Sequence, residues 1–113
     1  MNTERIKVLR IANEILTYMF LRCSHALTLE LKESTMGFEI TVRSACSHID
    51  SENITELKKL LTPGRHEEIS DYYWNLAGTD NEENELNLIG LMIDSAEVKA
   101  ENNELVIKLV RKK

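Results

Sequence analysis

Strict alternation of apolar and polar residues over two neighbouring stretches constrains the fold of this chain most. The alternation covers residues 27–32 and returns over residues 38–43, and a glycine-containing segment, residues 34–37, separates the two stretches. A period of two places the apolar side chains of a strand on one face and the polar side chains on the other. The sequence therefore predicts an antiparallel hairpin with one buried face, in which Glu33 lies opposite Phe38.

The C-terminal third of the chain predicts a helix followed by a second hairpin. Apolar residues from Leu86 to Ile93 indicate the helix, and an acidic segment, residues 80–85, precedes it. Strands are expected over residues 96–101 and 104–110, with Asn102-Asn103 between them. Asparagine tolerates the positive φ angles that a tight hairpin turn requires, so this turn has a physical basis.

Residues 4–23 predict a long helix with two apolar stripes side by side. One stripe contains Ile6, Leu9, Leu16, Phe20 and Cys23, and the other contains Val8, Ile11, Ile15 and Met19. An ordinary surface helix has a single apolar face of roughly 100°. This helix therefore either lies in the middle of the core or shares one face with a second subunit. Under the second interpretation, Ile11 and Ile15 form a homodimer interface.

Two further helices complete the predicted order of elements. Asp50 or Ser51 can cap a helix over residues 52–61, and another helix is expected over residues 66–76. The resulting order, α-β-β-α-α-α-β-β, fits a single domain of residues 1–113. Because the first two strands each have a polar face, we predict an α/β (α+β) two-layer sandwich. Its mixed or antiparallel four-stranded sheet is built from two hairpins, with the helices on one face.

Charge and hydropathy exclude several classes of partner. The chain has 19 acidic and 14 basic residues and a formal net charge of −5, so we expect no nucleic-acid partner. The longest apolar run, residues 15–21, is far shorter than the roughly 20 residues of a membrane-spanning helix, so we expect no membrane partner. Charged residues near the N-terminus argue against a signal peptide. These features predict a cytoplasmic protein with two reduced, free cysteines.

The tripeptide Cys-Ser-His occurs twice, and the predicted hairpin register places His25 opposite Cys46. Two cysteines and two histidines match the tetrahedral ligand set of Zn²⁺, which makes Cys23, His25, Cys46 and His48 candidate metal ligands. The C-x-H spacing differs from that of the common zinc modules. The favoured interpretation is therefore two small apolar thiols and two half-exposed histidines with no bound metal, and a disulfide is the least favoured alternative.

Three aromatic residues lie together in the helix predicted over residues 66–76. Tyr72, Tyr73 and Trp74 are of the types that dominate binding hot spots, so they are candidates for a contact surface. In the alternative interpretation Tyr73 faces the core, and Tyr72 and Trp74 are partly exposed. Helical spacing cannot bury all three side chains at once.

Three segments suggest a family. They are residues 14–18 (EILTY) in the first helix, 42–50 (VRSACSHID) at the end of the second strand, and 85–94 (ELNLIGLMID) in the last helix. Together with the order of elements, these segments resemble three motifs of the GHKL superfamily. In the same order, the motifs are that of the helix before the first hairpin, the D-x-G-x-G box, and the helix that follows the nucleotide lid. The superfamily contains the Bergerat-fold ATP-binding domains of histidine kinases and anti-sigma factors. The resemblance covers nearly the whole chain. It implies a nucleotide pocket at Glu14, Tyr18, Ser44, Ala45 and Gly90.

The residues at these positions depart from the chemistry that the resemblance implies. Tyr18 replaces an asparagine that would bind Mg²⁺, and a phenol cannot supply a neutral carboxamide ligand. Ser44 or Ala45 replaces the aspartate that would read adenine, and both glycines of the box are missing. Gly78 and Gly90 are too far apart to form a phosphate-binding nest. The sequence therefore predicts a degenerate member without a cofactor or catalytic residues.

The predicted function is a non-catalytic signalling or regulatory module that binds other proteins. One alternative is an active ATP-binding regulator of the serine-protein-kinase and anti-sigma type, which would require an unusual pocket. The other alternative is a small metal-binding module that uses the four cysteine and histidine residues named above.

Overall fold

The computed structural model describes residues 3–22, 26–46, 50–65 and 89–113. The elements within these ranges are α1 (Thr3–Arg22), β1 (Leu27–Glu33), β2 (Gly37–Ala45), α2 (Ser51–Leu60), β3 (Ser95–Glu101) and β4 (Glu104–Lys112). Residues 89–92 form one further helical turn. The helix predicted over residues 66–76 lies outside the described residues, as do residues 85–88 of the last predicted helix.

The four strands form one antiparallel sheet in the order β1-β2-β4-β3. The two predicted hairpins are therefore confirmed, and pairing of β2 with β4 joins them into the predicted four-stranded α+β fold. Glu33 lies opposite Phe38, as the alternation predicted. β2 and β4 occupy the centre of the sheet, and β1 and β3 form its edges.

Both hairpin turns have the backbone that their residues favour. Asn102 and Asn103 have φ angles of 52° and 60°, which matches a type I′ turn and the natural twist of the flanking strands. In the other turn, Ser34 and Gly37 exchange backbone hydrogen bonds of 2.8 and 3.3 Å. A Cβ atom on Gly37 would collide with the carbonyl oxygen of Arg111, so only glycine fits at this close approach of β2 to β4.

The core lies between the helices and one face of the sheet. The inward-facing side chains of the two central strands are Phe38, Ile40, Val42, Leu105, Ile107 and Leu109. They pack against side chains from α1, α2 and the turn at 89–92. Ile11 and Ile15 are 1% and 0% exposed, which places them in this core. The assignment of Ile11 and Ile15 to a homodimer interface is therefore wrong, because the sheet of the same chain already covers them.

Helix α2 begins and ends as the sequence predicted, within one residue. Asp50 caps it, because its Oδ1 atom accepts a 2.7 Å hydrogen bond from the backbone nitrogen of Asn53. Near its other end, a Cβ atom on Gly90 would collide with the carbonyl oxygen of Leu60. Gly90 therefore allows the turn at 89–92 to approach the backbone of α2 closely.

One charged side chain occupies the inner face of the sheet. Arg111 continues the inward alternation of β4 and is 2% exposed. Its Nε and Nη2 atoms donate hydrogen bonds of 3.0 and 3.2 Å to the carboxylate of Glu4, and Nη1 donates a 2.5 Å bond to the carbonyl oxygen of Met92. The contact stabilises the buried charge and fastens the start of α1 to β4.

Candidate interaction surface

Helix α1 exposes large apolar side chains outside the face that packs on the core. Leu9 and Phe20 are 58% and 60% exposed, and Ile6 and Leu21 are also exposed. Single exposed apolar residues are normal, but several on one element are typical of a surface that binds a partner. Ile6, Leu9 and Phe20 belong to the stripe that the sequence analysis did not assign to an interface.

An ion pair defines the side of α1 that lies toward β1. An Nη atom of Arg5 lies 2.8 Å from Oε1 of Glu33, at the end of β1. Positions 5, 9, 16 and 20 share one side of a helix with about 3.6 residues per turn. The Arg5–Glu33 contact therefore directs Leu9 and Phe20 toward the edge of the sheet that β1 forms. Leu16, on the same side, is partly buried against the core.

Strand β1 offers a backbone edge next to Leu9 and Phe20, which we call the exposed apolar row of α1. Within the described part of the chain, its only neighbouring strand is β2. Ser34 and Gly37 form a hydrogen-bonded pair, and bonded and non-bonded pairs alternate along an antiparallel ladder. The backbone groups of Leu29, Leu31 and Glu33 therefore point away from β2. The side chain of Leu31 is also 40% exposed, so the edge combines backbone hydrogen-bonding groups with apolar surface.

The face of the sheet opposite the helices forms a shallow depression with a different character. Its lining residues include five carboxylates and four cations, so it is nearly neutral. Several of these charges pair with one another. Lys108 lies 3.2 Å from Glu39, and Arg43 lies 3.7 Å from Glu104. Exposed pairs of this kind are weak and well hydrated, so we place the candidate interaction surface on α1 and β1.

Two of the predicted pocket residues lie one turn apart on α1. Glu14 and Tyr18 are both partly exposed. Tyr18 packs against the core, and the guanidinium carbon of Arg22 lies 4.8 Å from the centre of its ring. This geometry is a cation–π contact, which gives the Tyr18 ring a structural role.

The other three predicted pocket residues also have structural environments. Ser44 is 3% exposed, and its hydroxyl lies 3.3 and 3.2 Å from the carbonyl oxygens of Ala26 and Ala45. Ala45 is exposed at the end of β2. Gly90 lies against the backbone of α2, as described above. The buried polar group at Ser44 is thus satisfied within the chain itself.

Cys46 is disulfide-bonded, so the prediction of free thiols is wrong for this residue. The sequence contains one other cysteine, Cys23, which is the only intrachain partner that it offers and which lies outside the described residues. A sulfur atom in a disulfide cannot serve as a thiolate ligand, so the proposed zinc set lacks Cys46 in this state. The predicted hairpin register already places Cys46 opposite His25, two residues from Cys23, which favours this bond.

The remaining predicted site residues lie outside the described part of the chain. They are His25, His48, Tyr72, Tyr73 and Trp74. Within the described ranges, no group of three or more histidine, cysteine, aspartate or glutamate side chains is placed to hold a metal ion.

Two features of the surface and core were missed by sequence reasoning. The first is the exposed row on α1, which the two-stripe pattern identified as apolar without showing which stripe the sheet would cover. The second is Arg111, which lies just beyond the strand predicted over residues 104–110. Counting the alternation of β4 onward from Leu105 and Ile107 would have placed Arg111 on the buried face.

Comparison with known proteins adds no relative. No model of a known protein family matches the sequence, and the search of curated proteins finds no match. Among the described residues, no helix has both the length and the apolar character needed to cross a bilayer.

Proposed function

We propose that this protein is a non-catalytic signalling or regulatory module that acts by binding protein chains. The observation that carries this proposal is the exposed apolar row of α1 beside the outer edge of β1. Such a surface can bind a partner through both side-chain packing and added backbone hydrogen bonds. A protein partner, the absence of a nucleic-acid partner and a cytoplasmic location form part of the same proposal. The disulfide at Cys46 weighs against this location, because disulfides are rare in the reducing cytosol.

The proposal includes a scaffold similar to a histidine-kinase-like ATPase domain of the GHKL type that has lost nucleotide binding. The order of elements and the one-sided helical layer support this likeness, and both features also occur in other two-layer α+β proteins. The loss of nucleotide binding is supported by the residues at the pocket positions. Tyr18 packs on the core with Arg22 against its ring, and the hydroxyl of Ser44 bonds to nearby carbonyl oxygens.

Thermal unfolding with and without Mg²⁺-ATP tests the proposal. A ligand held at about a hundred times its dissociation constant stabilises the folded state by about 2.7 kcal/mol, which gives a clear rise in Tm. We expect no rise with Mg²⁺-ATP beyond that seen with Mg²⁺ alone. A saturable rise that requires the nucleotide would contradict the proposal and favour the ATP-binding regulator.

A further inference from the structure

We propose that the partner at this surface is a second copy of the chain, joined through antiparallel pairing of the two β1 strands. A twofold axis relates the two copies, and their sheets form one continuous sheet across the interface. This inference deepens the proposed function and rests on it, since it identifies the partner of the same surface.

Charge complementarity selects the second copy and the register of pairing. When Leu31 lies opposite the partner's Leu31, Glu30 lies opposite the partner's Lys32, and Lys32 lies opposite the partner's Glu30. Opposite charges that face each other across two strands stabilise the pairing. In the single chain, Lys32 and Glu30 lie 3.2 Å apart, and their side chains are 64% and 62% exposed. Exchange of this weak, exposed pair for two pairs between subunits costs little.

The backbone of β1 fits the same register. Leu29, Leu31 and Glu33 direct their backbone groups away from β2, as the hydrogen-bonded pair of Ser34 and Gly37 indicates. Leu31 can therefore exchange hydrogen bonds with the partner's Leu31, and Leu29 with the partner's Glu33. If the twofold axis instead passed through Glu30, this residue would face the partner's Glu30, and the like charges would oppose pairing.

The two α1 helices would also meet in this arrangement. A twofold axis perpendicular to the sheet places both helical layers on the same face, and α1 packs over both β1 and β2. Each helix then lies about one strand spacing from the axis, so the helices are about 10 Å apart. This separation matches the interaxial distance of about 8–10 Å at which helices pack directly.

The exposed side chains of α1 and β1 lie near the proposed axis. Leu31 is two residues from Glu33 along the strand, a distance of about 7 Å. Leu9 is four residues from Arg5 along the helix, a distance of about 6 Å. Arg5 contacts Glu33 at the end of β1, and the short connection from Arg22 to Leu27 returns the chain to the start of β1. The helix therefore runs antiparallel to β1, and Leu9 lies near the level of Leu31. Leu9 and Leu31 can therefore pack together at the centre of the interface.

The other edge strand, β3, provides a matched control because it has the same charge pattern. Glu97 and Lys99 flank Val98 as Glu30 and Lys32 flank Leu31. Val98 is only 7% exposed, however, and the neighbouring inward-facing residues of β3 are alanines. β3 thus offers a similar charged edge without large exposed apolar side chains.

Charge reversal with sedimentation analysis of the full chain tests the inference. We expect a wild-type dimer that Glu30→Lys or Lys32→Glu weakens about tenfold or more, because each change creates like-charged pairs across the interface. The double variant should regain the dimer. An equimolar mixture of the two single variants should form heterodimers, since every charge pair is then complementary. Glu97→Lys and Lys99→Glu should leave the association unchanged.

Two leucines of α1 test the contribution of the helix in the same assay. Leu9→Ser should weaken the dimer, whereas Leu21→Ser should not, because Leu21 is 65% exposed on a different side of α1. At a dilution at which the wild type is also monomeric, both variants should keep the wild-type Tm, because the Tm of a dimer rises with association.

Three outcomes would overturn the inference: a wild-type monomer at every soluble concentration, a dimer that the β1 reversals do not affect, or one that the β3 reversals disrupt. If the chain is a monomer and Mg²⁺-ATP does not raise its Tm, the inferred dimer is wrong and the proposed function still stands. If Mg²⁺-ATP raises the Tm, the proposed function is wrong whatever the oligomeric state.

Discussion

Arg111 shows how one residue can carry a charge into the core of a small protein. A buried guanidinium is stable only when its donors are satisfied and its charge is balanced. Here Glu4 supplies the charge and two acceptor oxygens, and the carbonyl oxygen of Met92 supplies a third acceptor. Removal of one partner therefore has a larger effect than loss of an ordinary surface ion pair.

Glu4→Gln should destabilise the fold by about 1–2 kcal/mol, because it leaves the Arg111 charge buried without its counter-ion. The expected loss is smaller than for a fully buried pair, since the Glu4 side chain is 37% exposed and solvent screens part of the interaction. Urea unfolding measures the change. Glu33→Gln is the control, because Glu33 also binds two cations but does so at the surface. An equal loss in both variants would show that burial of Arg111 adds nothing.

Acid should weaken the fold through the same carboxylate. Hydrogen bonds from Arg111 lower the pKa of Glu4 from 4.5, burial opposes this shift, and the positive charges of Arg111, Arg65 and Lys7 add to it. Because the pKa is lower in the folded state, the stabilisation is complete above about pH 4.5 and is lost as the pH falls through the folded pKa. Between about pH 6 and pH 3, the urea midpoint of the wild type should therefore fall more steeply than that of Glu4→Gln. Parallel curves would exclude Glu4 as a source of the acid response.

Among the elements, the hairpins were the most predictable because each has a local cause. The alternation over residues 27–43 determines the faces of β1 and β2, and Asn102-Asn103 supplies the positive φ angles of the second turn. The pairing of β2 with β4 follows from neither hairpin alone, because it joins residues that are far apart in sequence. For the same reason, the sequence did not show which stripe of α1 the sheet would cover.

Gly90→Ala should destabilise the contact between α2 and the turn at 89–92. Alanine favours a helix over glycine by about 1 kcal/mol, but the added methyl group would collide with the backbone carbonyl of Leu60. Overpacking against an atom that cannot rotate away typically costs about 1–3 kcal/mol, so we expect a net loss of stability. Thermal unfolding of the variant checks this expectation. A more stable variant would mean that the two segments can separate without cost.

At the scale of the whole molecule, a disulfide closes part of the chain, although the sequence predicts reduced cysteines. If Cys46 pairs with Cys23, the closed loop contains the whole of β1 and β2. A loop of this size stabilises a fold by about 3 kcal/mol, mainly by restricting the unfolded chain.

Reduction should therefore lower the Tm of the wild type, and Cys46→Ser should lower it by a similar amount. Thermal unfolding with and without a thiol reductant measures the first effect. The reductant should not change the Tm of Cys46→Ser, which serves as the control. Equal Tm values for the oxidised and reduced wild type would contradict the stabilising role, and a count of two free thiols would contradict the bond itself.

The candidate surface was only partly predictable at this scale. The sequence identified α1 as too apolar for an ordinary surface helix. The apolar side chains that the core does not cover include the exposed Leu9 and Phe20. The Arg5–Glu33 contact indicates that these side chains lie beside the edge of β1, and no local sequence pattern predicts a contact between residues so far apart.

The central position of β4 has a consequence for synthesis on the ribosome. β1 and β2 emerge well before β4. The side chains of Ile40 and Val42 therefore lack their neighbours Leu109 and Ile107 until β4 has been synthesised. A nascent chain that stalls after α2 would expose the apolar face and the unpaired edge of an incomplete sheet. Chaperone dependence and loss of truncated products in the cell are therefore expected to be most severe for interruptions that fall just ahead of residue 104.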